Sequence, residues 1–185
     1  HGLLKLKGRP TWRTVTGGSE RYVEKLTAAY ADHVRIGAGV VSVKRDGAGA
    51  WVRDVQGHVE RFDHVVIAAH ANEALAMLED ASVRERALLS ACGYTKNRAV
   101  LHTDRALMPR REPLWASWNY VGDNPDGGCV VSYWMNKLQN IRCREQVFLT
   151  LNPQTMPRAE SILYETEYEH PLFDAVAIRA QKELW

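Results

Sequence analysis

The 185-residue chain is expected to adopt an α+β fold of the α/β-related kind, on three observations. Apolar residues recur at helical spacing near residue 20, then give way to short strand-like runs separated by glycine turns between 34 and 69. Helical spacing returns between 72 and 91, and beyond Cys92 the pattern is again mainly strand.

A basic, extended opening from Leu3 to Arg9 and Pro10 precedes Gly17-Gly18-Ser19. Tyr22, Val23, Leu26 and Tyr30 then place one apolar stripe on a helix from about Ser19 to Ala31, with Ser19 as N-cap and the glycine pair as its entry. Val34 with Ile36, Val41 with Val43, and Trp51 with Val52 and Val55 read as short strands. The Asp46-Gly47 and Gln56-Gly57 turns join them into an antiparallel meander. Val65 to Ala69 is apolar throughout and is expected as a strand buried on both faces. Helices are expected from Asn72 to Leu78 and from Ser82 to Ala91, the second opened by a Ser82/Glu85 capping box. Strands follow at Ala99–Thr103, Leu114–Val121, Val130–Met135 and Gln146–Leu151, with a hairpin loop at 124–128 and a final helix from Pro171. The composition shift between Ala81 and Gly93 divides the chain into expected domains at 1–80 and 81–185.

The 24 Lys+Arg and 22 Asp+Glu leave a net charge of +2, and 45% of residues are hydrophobic, the profile of a globular protein rather than a disordered or fibrous one. The basic residues are scattered, so no nucleic-acid partner is expected. The longest apolar run falls far short of the roughly 20 residues of a membrane span. Cys92, Cys129 and Cys143 form no C-x-x-C pair, which fits a reduced, cytoplasmic location. No metal site is expected, because His64 and His70 would stand roughly 20 Å apart along a strand.

No phosphate-binding glycine motif, nucleophile elbow or zinc-protease motif occurs in the sequence. His102 and Asp104, two apart on a strand, fit either a proton-transfer pair or a rim pair on a half-exposed strand. Trp118, Tyr120, Tyr133 and Trp134 fit either core packing or the wall of an aromatic pocket, with Asn119 or Asn136 as polar anchors. Alternation puts Trp118 with Tyr120, Tyr133 with Met135, and Trp134 on the opposite face from the latter pair.

The order of elements, from Thr16-Gly17-Gly18-Ser19 through Gly39-Val40-Val41-Ser42-Val43 to Phe62-Asp63-His64-Val65-Val66-Ile67-Ala68-Ala69, resembles the middle of a flavin-containing amine oxidase or phytoene-desaturase-type oxidoreductase. Val100-Leu101-His102-Thr103-Asp104, Met108-Pro109-Arg110-Arg111, Tyr133-Trp134-Met135-Asn136 and Tyr168-Glu169-His170-Pro171 resemble a bacterial group of NAD/FAD-binding proteins often associated with cyclopropane-fatty-acid synthases. The resemblance implies FAD, bound to part of a Rossmann-like domain with a β-meander, and a substrate domain built on a mainly antiparallel sheet. It implies that Gly17 and Gly18, a doublet that opens a helix, bind the cofactor together with Val40, Ala68, Ala69 and His70. Where many amine oxidases carry a flavin-linked lysine, Arg98 stands in register and Lys96 two residues before it. The expected activity is therefore hydride removal from an apolar, acyl or amine small molecule, with a flavin-free ligand- or protein-binding module as the alternative. The chain is expected to be the central portion of a longer parent, and its exposed sheet edge to favour self-association.

Overall fold

The computed structural model describes residues 13–123 and 129–184, so the basic opening segment and the 124–128 hairpin loop lie outside the described residues. Two compact units divide the chain, one from residues 1–31 and 97–168, the other from 32–96 and 169–185. These divisions lie elsewhere than the single cut expected between 80 and 81.

In the second unit, β1 (Val40–Arg45), β2 (Ala50–Asp54) and β3 (Val59–Phe62) form the antiparallel meander in that order. Its turns are set by local chemistry. Gly47 adopts φ +81°, and the Asp46 carboxylate accepts from the Ala48 N–H at 3.0 Å. The same carboxylate accepts from Trp51 Nε1 and Arg61 Nε, each at 3.0 Å, which pins β2 and β3 to the turn. The Arg61 guanidinium, with the Ala48 N–H, lowers the Asp46 pKa to about 2. Glycine is required at 49, where a Cβ would lie 2.5 Å from the Phe62 carbonyl oxygen.

Helices α2 (Ala71–Met77) and α3 (Val83–Ser90) follow. The capping box forms as expected: Glu85 N–H donates to Ser82 Oγ at 3.2 Å, and Ser82 N–H to Glu85 Oε2 at 2.7 Å. Arg45 ties α3 and the α2–α3 connection to β1, its Nε donating to Asp80 Oδ2 at 3.0 Å and its Nη1 to Glu85 Oε1 at 2.7 Å. This clamp explains why α3 belongs to the meander unit. Helix α5 (Ala175–Gln181) is capped by Asp174, which accepts from Val176 N–H at 2.8 Å and Ala177 N–H at 2.9 Å.

Two strand expectations fail here. Val65 to Ala69 is not a buried strand: it pairs with no strand among the described residues, and Val66 is 90% exposed. Its apolar composition demands neighbours on both faces, but an extended run becomes a strand only when adjacent N–H and C=O rows pair with it. Val34 and Ile36 likewise follow a 3₁₀ turn at Ala31–His33 and remain exposed.

The other unit contains α1 (Glu20–Thr27), with Ser19 at the N-cap position but no capping bond from its side chain, and no buried residue along the helix. The larger sheet has the order β5-β6-β7-β4-β8, comprising β4 (Gly93–His102), β5 (Trp118–Asp123), β6 (Cys129–Trp134), β7 (Phe148–Leu151) and β8 (Ile162–Leu172). The boundary between units falls within β4 and β8. β8 extends to Leu172, so the expected final helix forms as α5 from Ala175 rather than from Pro171, and Met135 opens the short helix α4 (Met135–Leu138) instead of continuing β6. Met135 therefore does not share a strand face with Tyr133.

One face of this sheet carries the core. Phe148, Met108 and Trp115 are buried there with Trp134 packed against them, Trp115 meeting Phe148 and Trp134 edge-to-face at 5.4 Å each. The Phe148→Ala substitution is expected to cost about 3–5 kcal/mol, measured as a lowered denaturant midpoint.

Candidate functional site

Residues singled out beside a dinucleotide fall in both units. Gly17 and Gly18 take φ +84° and +90° in a turn closed by Gly18 N–H donating to the Val15 carbonyl at 3.0 Å, and that left-handed turn accounts for both glycines. In the meander unit, Val40 opens β1 on the rim of a groove of about 180 Å³ lined also by Ala38, Val52 and Phe62. Ala68 and Ala69 are exposed at the end of the unpaired run. His70 stands at the N-cap of α2, its ring stacked on Tyr94 with centroids 4.6 Å apart. The Tyr94 hydroxyl accepts from the Ala71 N–H at 2.6 Å, and Glu73 accepts from the His70 N–H at 3.1 Å. The His70 Nδ1 is buried without a hydrogen-bond partner, an arrangement that costs free energy until a ligand or water satisfies it.

The aromatic candidates are sorted by strand register. Trp118 faces Tyr133 across the β5–β6 pair, Tyr120 faces Val131, and Tyr133 faces Leu149 on β7. Residues directly opposite share a face, so Trp118, Tyr120 and Tyr133 form one aromatic surface. Trp118 is 58% and Tyr120 56% exposed. Trp134 lies on the other face, in the core, with its Nε1 donating to Gln146 Oε1 at 2.7 Å and Lys137 Nζ 5.6 Å from its ring centroid.

Neither asparagine is available as an anchor. Asn119 Oδ1 accepts from Ala116 N–H at 3.0 Å, and its Nδ2 donates to the Ala116 carbonyl at 3.0 Å and the Ser132 carbonyl at 3.2 Å. Asn136 Oδ1 accepts from Val147 N–H at 2.7 Å while its Nδ2 donates to the Glu145 carbonyl at 2.9 Å.

His102 and Asp104 are buried behind the sheet, on the face opposite the exposed aromatics. The Asp104 N–H donates to His102 Nδ1 at 3.2 Å, which assigns the ring proton to Nε2; this donates to Thr150 Oγ1 at 2.8 Å. Thr150 Oγ1 lies 2.8 Å from Ser132 Oγ. The Asp104 carboxylate accepts from Ala106 N–H at 3.0 Å, Arg158 N–H at 3.0 Å and Arg158 Nε at 3.2 Å. Both His102 ring nitrogens and both Asp104 carboxylate oxygens are occupied, the former by Asp104 N–H and a β7 hydroxyl and the latter by the Ala106 and Arg158 N–H groups, which fits a structural role rather than a proton-transfer pair.

Sequence reasoning missed a cavity of about 740 Å³ in the same unit, lined among others by Met108, Arg110, Tyr120, Val130, Met156 and Arg158. Its walls come from residues 104–110 and 153–158 with strand positions between them, a juxtaposition that no local pattern encodes. Among the described residues, no group of three or more His, Cys, Asp or Glu side chains converges as metal ligands, and no helix is long and apolar enough to cross a membrane.

Burial lowers the pKa of His102, against the opposing pull of Asp104. The Arg158 and Ala106 N–H donors lower that of Asp104. A histidine whose folded pKa lies below the unfolded value, roughly 6.5, contributes its full stability above that pH and loses it as pH falls below it. The Asp104 contribution has the same sign but is lost only as pH falls below roughly 3.9. Urea midpoints measured from about pH 7 down to about pH 5 should therefore decline in the parent and decline less steeply in His102→Gln. Equal slopes would remove the neutral, buried histidine from the account.

The family model for flavin containing amine oxidoreductases matches residues 2–135. No curated protein matches the chain. Among solved structures, a fatty acid isomerase from P. acnes that produces CLA is similar over 83% of this chain and 40% of its own, with 15% identity and a TM-score of 0.56. A putrescine oxidase redesigned in its cofactor binding is similar over 73% of this chain and 29% of its own, with 15% identity and a TM-score of 0.52. At these identities the likeness is one of fold, and the chain spans less than half the length of either structure.

Proposed function

The chain belongs to the flavin-containing amine oxidoreductase family, which implies FAD, and we propose that it supplies the central and substrate-domain portion of an enzyme removing hydride from an apolar or acyl small molecule. The observation that carries this reading is the surface of Trp118, Tyr120 and Tyr133, the first two more than half exposed, on strands held in register by the β5–β6 and β6–β7 pairings. Large aromatic side chains left open to water on a rigid sheet are suited to stripping water from an apolar substrate and holding it flat.

Val40, Ala68, Ala69 and His70 would hold the dinucleotide. Two features support this fit: the apolar groove beside Val40, and the buried His70 Nδ1 that lacks a partner. Bound flavin supplies a two-electron hydride acceptor, while the protein contributes binding and orientation. A hydride transfer of this type asks for no side-chain nucleophile. In the register of the amine-oxidase lysine, Arg98 is ion-paired with Glu165 at 2.6 Å and its N–H donates to Asn152 Oδ1 at 3.0 Å. That cation is occupied within the sheet, which favours a substrate other than an amine.

The test is the visible absorption spectrum of the natural gene product beside that of residues 1–185 alone. Flavin bands in the gene product are expected; their absence from both proteins would overturn the oxidoreductase reading in favour of a flavin-free binding module. In the flavin-loaded protein, Trp118→Ala with Tyr120→Ala is expected to raise KM about tenfold or more, while stability stays within about 0.5 kcal/mol because both side chains are exposed. An unchanged KM would remove the aromatic wall from substrate binding.

A further inference from the structure

The cavity bounded by residues 104–110 and 153–158 has a mixed lining, mainly apolar with Gln154 and Thr155 among its polar groups, and carries one uncompensated charge. Met108 and Val130 are buried at its wall, and Leu107, Pro109, Met156 and Tyr120 extend the apolar lining. The two methionine thioethers give the wall the adaptability suited to a flexible chain. Its volume of about 740 Å³ falls in the range of pockets that enclose a small organic ligand.

Three charged side chains line this cavity, and two of them neutralise each other. Asp104 takes three N–H donors, two of them from Arg158, and Arg158 also lies 3.8 Å from Glu160. Arg110 makes no hydrogen bond or ion pair with any described residue. Arg110 is exposed, and an exposed guanidinium beside apolar surface attracts a carboxylate, which it can grip with two parallel N–H donors, and repels an ammonium group.

We propose that this cavity binds an apolar chain ending in a carboxylate, the chain lying against Met108, Val130 and Met156 and the carboxylate paired with Arg110. Tyr120 belongs both to this cavity and to the aromatic surface. The identification of the ligand as a substrate rests on the oxidoreductase reading; its binding does not. Arg110 is then a specificity-determining residue that selects acids over amines, while Arg158 and Asp104 hold the cavity's shape.

The experiment is calorimetric titration of the flavin-free protein with decanoate, decan-1-ol and decylamine, comparing the parent with Arg110→Gln and Ala106→Trp. Both substituted positions are exposed, and Ala106 lines the cavity, so the tryptophan occludes it. Decanoate is expected to bind most tightly and decylamine least, with decanoate weakening as salt is raised. Arg110→Gln should weaken decanoate about tenfold or more and leave decan-1-ol unchanged; Ala106→Trp should weaken both. No decanoate binding by the parent, equal decanoate binding by parent and Arg110→Gln, or undiminished binding by Ala106→Trp would each overturn the proposal. Because the readout needs no flavin, a flavin-free gene product that binds decanoate would refute the oxidoreductase reading alone. A flavoprotein that does not bind it would refute only the cavity assignment.

Discussion

The Nε2–H of His102 reaches Thr150 Oγ1, Thr150 Oγ1 lies against Ser132 Oγ, and Asn119 Nδ2 donates to the Ser132 carbonyl. One buried polar line thereby joins β4, β7, β6 and β5, four adjacent strands. A satisfied network of this kind tolerates no slippage, since a shift of one residue in any strand would turn its side chains over and leave buried polar atoms without partners. The position of Trp118, Tyr120 and Tyr133 on the open face is the other side of that constraint. Phe148, Met108 and Trp115 add apolar burial on the same side as the polar line, so Trp118, Tyr120 and Tyr133 are directed to the opposite face.

The meander unit is organised by charge instead. Arg45 at the end of β1 engages Asp80 and Glu85, and Asp46 immediately after it engages Arg61 and Trp51. Adjacent residues of opposite sign thus hold the helices to one side of the turn and the strands to the other. Both carboxylate partners of Arg45 have lowered pKa values through its hydrogen bonds, so these contacts persist across the neutral range. Among the described residues of this unit, His70 Nδ1, at the end of the unpaired run from Val65, is the buried side-chain polar atom left without a hydrogen-bond partner.

Family membership brings flavin, and the arrangement of this chain's own residues bears on the substrate. Arg98 is committed to Glu165, both candidate asparagines are committed to backbone groups, and Trp134 is committed to the core. With those side chains occupied, the open features are an aromatic sheet face and a cavity whose remaining charge is positive.

The sequence by itself determined the elements whose causes lie within a few residues. The Asp46-Gly47 turn, the Ser82/Glu85 box, the meander, and the opposition of Trp134 to Tyr133 all follow from short-range sterics and hydrogen bonding. Residue strings also carried the family resemblance. Only the tertiary structure decided whether each surface found a partner. Val65 to Ala69 has the composition of a buried strand but not the neighbours, and Asn119 and Asn136 spend their amides on nearby backbone. The cavity at Arg110 was invisible for the same reason: its two main walls are separated by more than forty residues and meet only because the sheet brings Asp104 to Arg158. Burial and hydrogen-bond satisfaction are properties of pairs distant in the chain, and a local pattern specifies at most one member of each.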